Sequence, residues 1–123
     1  MTKVISYSTL ARQQQVNFLK HKGREYRERE DYLAQVRKLL FQTEAQMRQA
    51  EVMQLEVFRE IAAHFKIPLT FPDLGDRVGM QEFFATNPFL KILQDFFAGR
   101  LTPEECYPRI TALQTEEAAD LPE

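Results

Sequence analysis

The chain predicts an all-α fold: a short N-terminal helix, one long helix with room for a bend, an extended proline-containing connector, and compact phenylalanine-rich short helices at the C-terminal end. Three observations carry this. No proline precedes Pro68, and the chain holds only four glycines, so little in its first half interrupts helix. Apolar residues in that half recur at alternating spacings of three and four. Strand-like alternation and internal repeats are both missing from the sequence.

The elements follow in order. Ser6 or Ser8 can cap a first helix that runs through Leu10, Gln14 and Phe18 to about Gly23, a residue suited to a helix end. From Arg24 to Phe65 no breaker occurs. Leu33, Val36, Leu40, Thr43, Met47, Ala50, Gln54, Val57, Ile61 and His64 form the seam of a helix packed lengthwise on another, as in a coiled coil. Glu25 and Arg29 are set for a favourable i,i+4 pair, with Arg24/Glu28 and Arg27/Asp31 in the weaker reversed order. A single straight helix over this span would be about 60 Å long. A compact monomer of this size would be roughly 35 Å across. The helix therefore either protrudes and finds a partner or bends in QTEAQMRQAE, where Thr43 and Gln46 have the spacing of a capping box. Without Pro or Gly there, continuity is expected.

Beyond it, Pro68 and Pro72 favour extended geometry, Gly75 and Gly79 free the backbone, and Leu69, Phe71 and Leu74 pin the crossing down. Asn87-Pro88 starts a short helix, 88 to 98, that Gly99 ends. Its polar residues are only Lys91, Gln94 and Asp95, so it is apolar around most of its circumference. Thr102 to Glu105, TPEE, opens a last helix that Pro108 should kink or shorten. The expected organisation is one helical domain, 1–123: a long-helix hairpin region over 1–66, a connector over 67–80, a phenylalanine-rich subdomain over 81–114 and a frayed acidic tail over 115–123.

Function is constrained mainly by exclusion. Net charge is −2 and the pI about 5.8, which gives no overall pull toward nucleic acid or anionic membrane. The charge is nevertheless two-ended: residues 1–50 hold ten basic and five acidic residues, and the remainder six and thirteen. One cysteine, Cys106, allows no internal disulfide and fits a reducing compartment, so a cytoplasmic location is expected, with no export signal or membrane span. Cys106 reads as a small packing residue and His64 as a hydrogen-bonded core histidine near a helix end. No residues stand at metal-ligand spacing, no phosphate loop or nucleophile elbow occurs, and no catalytic residue, metal or cofactor is expected. LGDRVGMQEFF, residues 74–84, has only a superficial likeness to the start of a helix-turn-helix, since the following segment lacks base-reading side chains.

The expected function is a non-enzymatic protein–protein interaction module: an adaptor, assembly factor or protein inhibitor that forms a homodimer or hetero-complex. Leu33, Val36, Leu40 and Met47 would offer the helix seam, and Phe89, Leu93, Phe96 and Phe97 an apolar platform. Five of the ten phenylalanines lie between residues 81 and 97, and a core is the plainer reading of them than an interface. The alternative is a nucleic-acid-associated accessory protein that uses Lys20, Lys22, Arg24, Arg27 and Arg29.

Overall fold

A computed structural model describes residues 7–39 and 43–120, with side-chain surroundings over 11–39 and 43–114. Among these residues the architecture is entirely helical: α1 (Tyr7–Arg37), α2 (Glu44–His64), α3 (Arg77–Thr86), α4 (Pro88–Phe97) and α5 (Pro103–Asp120). α1 is the spine. It packs against α2 along one side and against α4 and α5 along another.

The first two expected boundaries are overturned together. Gly23 lies inside α1, and the continuous helix expected from Arg24 to Phe65 is broken between Arg37 and Glu44. The physical reason is burial. Leu33 and Val36 of α1 and Ala50 of α2 cover one another, with half-buried Met47 beside them, which requires the chain to turn back between them. α2 then starts where the capping box stands: the Gln46 amide donates to Thr43 Oγ1 at 3.1 Å, and the Thr43 amide donates to Gln46 Oε1 at 2.9 Å. Ser6 and Leu40 lie outside the described residues.

Polar contacts fix the hairpin register as antiparallel. Arg29 Nη1 donates to the Met53 carbonyl, Gln54 Nε2 to the Tyr26 hydroxyl, and the Lys22 ammonium to Glu60, each step back along α1 meeting a step forward along α2. Burial works to raise the Glu25 pKa, yet Lys22 and Arg29 outweigh it and hold the carboxyl below its ordinary value. The expected Glu25–Arg29 pair forms at 2.6 Å.

α2 ends in a Schellman turn. Lys66 takes φ of 57°, its amide donates to Ala63, and the Ile67 amide donates to Ala62 at 2.8 Å. Ile67 is buried, supplying the apolar contact such turns favour. Residues 68–76 cross in extended and turn geometry with Leu69, Phe71 and Leu74 packed on the core, as expected. The crossing is shorter than 67–80, because α3 already begins at Arg77. Asp76 caps it by accepting from the Gly79 amide at 2.9 Å, and a Cβ on Gly79 would meet that carboxylate at 2.3 Å.

Asn87 ends α3 and caps α4, its Oδ1 accepting from the Leu90 amide at 3.1 Å. α4 closes in a second Schellman turn at Gly99, φ 82°, with the Arg100 amide donating to Asp95 at 2.8 Å. Thr102 and Glu105 form the capping box that starts α5. Pro108 does not shorten this helix, and the stretch expected to fray remains helical to Asp120. Buried Cys106 and Ile110 hold α5 down on both sides of the proline, so packing outweighs the missing amide.

One core joins all five helices. Phe89 and Phe96 are buried in it, and Phe83, Phe84 and Phe97 are half-buried against it, so the clustered rings close a core as expected. Phe58 is its aromatic centre, meeting Tyr26, Phe84 and Phe97 edge-on at 5.3 to 5.6 Å. Tyr26 stacks on Phe97 at 4.0 Å.

Candidate docking groove and cationic cleft

The candidate seam residues mostly meet one another. Leu33 and Val36 are buried inside the hairpin, Met47 is half-buried at its edge, and Leu40 lies outside the described residues. Of the candidate platform, Phe89, Leu93 and Phe96 are buried in the core and Phe97 is half-buried on Tyr26. The structure therefore brings the two sets to separate cores rather than to one open surface.

The apolar surface left open lies elsewhere. Tyr32, Leu39 and Val78 are exposed, Val78 the most at 67%. Val78 belongs to α3, a helix with no buried residue. Its Met80, Phe83 and Phe84 follow the spacing of a core-facing stripe and pack on the core, whereas Val78 falls on the other side. In the sequence Val78 lies within the expected connector, 67–80, as well as in the segment with a superficial likeness to a helix-turn-helix start.

Between α3 and the first half of α2 runs a groove made of two adjoining depressions, about 420 and 400 Å³, that share Glu51, Leu74 and Arg77. Its apolar floor is Met47, Leu55, Leu74, Met80 and Phe84. The Asp73 carboxylate accepts from the Gly75 amide at 3.0 Å, and this turn holds Leu74 at the junction. The rim is charged. Arg37, Arg48 and Arg77 outnumber Glu44 and Glu51, and none of the five forms an ion pair among the described residues. Such an arrangement can desolvate an apolar anchor while attracting acidic groups beside it.

The five candidate basic residues divide. Lys22 and Arg29 point into the hairpin: Lys22 pairs with Glu25 and Glu60, and Arg29 with Glu25 and Glu56. Burial works to lower the Lys22 pKa, and hydrogen bonds to Glu60 and Glu25 more than offset it. Lys20, Arg24 and Arg27 instead line a cleft of about 320 Å³ on the face toward α4 and α5.

His64 corrects its expected place. It is exposed rather than in the core, stacked on the Phe18 ring at 3.7 Å and hydrogen-bonded to Gln15. Partial burial first, then the nearby Lys22 charge, lowers its pKa. Cys106 is fully buried, and desolvation pushes its thiol up to about 12. No group of three or more metal-ligating side chains occurs among the described residues, and no helix among them is long and apolar enough to cross a membrane. Compared with protein-family models, curated proteins and solved structures, the chain matches none.

Proposed function

We propose that this chain is a non-enzymatic protein-interaction module, an adaptor, assembly factor or inhibitor, that seats an amphipathic helix of a partner protein in the groove between α2 and α3. The observation that carries this reading is the apolar floor of Met47, Leu55, Leu74, Met80 and Phe84, flanked by three arginines that form no ion pair among the described residues. The rim has the opposite sign to an acidic helix, so the partner segment has apolar anchors on one face and Asp or Glu at its flanks. The seam and platform residues act indirectly, by packing the cores that carry α2 and α3.

The test places a photoreactive residue at Gln81, which is exposed on the groove wall, and, separately, at Glu28 on the far side of α1. A purified partner should cross-link from position 81 through an acidic amphipathic segment, not from position 28, and lose at least tenfold in affinity for Arg48→Glu/Arg77→Glu. Cross-linking confined to position 28 would sink the groove reading. A product of two copies of this chain from position 81 would replace the foreign partner by self-association.

A further inference from the structure

We infer that the cleft walled by Lys20, Arg24 and Arg27 is a binding site for phosphate groups, independent of the groove. The three residues stand at i, i+4 and i+7 on one face of α1, spanning about 10 Å along the axis. The facing wall is the turn from α4 into α5, with Gly99, Leu101, Thr102 and Pro103, and the floor is the edge of Phe96 against Gly23.

The charge state of these residues separates them from an ordinary solvated face. Every other cation on this stretch of α1 from Lys20 to Arg29 has a carboxylate: Lys20 has Glu104, Lys22 has Glu25 and Glu60, and Arg29 has Glu25 and Glu56. Arg24 and Arg27 have none among the described residues, although Glu28 and Asp31 follow them one turn later. Two unneutralised guanidinium forks therefore border one open cleft. Planar forks fit the oxygens of a phosphate two at a time, which an ammonium does not.

The start of α5 is not the donor. The Thr102 and Glu105 amides are already engaged in the capping box, so an anion would be held by the three side chains. The third cation, Lys20, is shared: Glu104 reaches it across the cleft at 3.5 Å, with both side chains about half exposed. An exposed pair of this kind is weak. Glu104 thus acts as an internal competitor that an entering phosphate displaces.

Phosphate oxygens of this kind come from a small oligophosphate or from a nucleic-acid backbone, and two probes distinguish the sources. Titrating the intact chain with pyrophosphate at low ionic strength, followed by amide chemical shifts, should give saturable changes centred on residues 20–27 and 99–104. Arg24→Ala/Arg27→Ala should weaken binding at least tenfold, and Glu104→Gln should tighten it several-fold; Arg48→Ala/Arg77→Ala, in the groove, should leave it unchanged. A labelled single-stranded oligonucleotide forms the second arm. Affinity that falls with salt at a logarithmic slope near −2, about 0.7 for each of three cations, assigns the phosphates to a nucleic-acid strand. Binding of pyrophosphate alone assigns them to a small ligand. The inference is overturned if neither probe binds at low salt, if the double arginine variant binds as well as the native chain, or if removing the Glu104 charge has no effect. All the substituted side chains are solvent-facing, and circular dichroism of each variant confirms the fold before titration.

Discussion

Lys66 shows how one backbone angle can run against a side chain. It holds φ of 57° in the turn that ends α2, where a residue with a Cβ is disfavoured by roughly 1–2 kcal/mol. Part of that returns through the unfolded-chain entropy of glycine, so Lys66→Gly should raise stability by about 0.5–1 kcal/mol in urea unfolding. Gly23 presents the reverse case. A Cβ there would lie 3.1 Å from Phe96 Cζ. Alanine gains up to about 1 kcal/mol of helix propensity against that crowding, and the two should nearly cancel. Leucine adds far more volume, and Gly23→Leu should lose about 1–3 kcal/mol, measured the same way. Gly23 was misread in the sequence for this reason: a glycine that ends a helix and one that admits a ring look alike until the ring is in place. Gly99 was read correctly because Pro88, Thr102 and Pro103 bracket its turn on both sides.

At the scale of elements, the short C-terminal helices were legible and the long ones were not. Caps are local, and Thr43/Gln46, Asn87/Pro88 and Thr102/Glu105 all act where the spacing placed them. The break between α1 and α2 depends on Leu33 and Val36 finding Ala50, a contact between distant positions that the heptad-like spacing represented equally well as a seam for another chain. The groove was hidden for the same reason, since its two walls come from helices that the sequence separates by a connector. Phe96 links α4 to α1 through Gly23, and Phe96→Ala should cost about 3–5 kcal/mol because its neighbours fill the cavity only partly. An unchanged unfolding midpoint would place the ring outside the core. The hairpin base also titrates. His64 has a lowered pKa when folded, so the unfolded chain binds the proton more readily, and stability rises with pH through the window just below 6.5. Acidifying through that window should therefore lower the thermal midpoint, and His64→Gln should flatten this part of the profile.

For the whole molecule, the core that joins all five helices makes Cys106 a reporter. It is fully buried with its thiol pushed up to about 12, so a disulfide reagent at pH 8 should react only when the chain opens. The labelling rate should fall in Lys66→Gly and rise in Phe96→Ala, following stability. Rapid labelling of the native protein, insensitive to both substitutions, would mean that α5 detaches without the rest.

The arrangement around α1 also sets a timetable. α2 covers one side of this helix soon after the turn, but the side bearing Leu19 and Gly23 is covered by α4 and α5, which begin at Pro88 and Pro103, well after α2 ends at His64. At a synthesis rate of about 5–20 residues per second, that side of a nascent chain stays uncovered for roughly one to eight seconds. During those seconds the growing polypeptide presents to the ribosome surface and its chaperones a face that the finished molecule never shows.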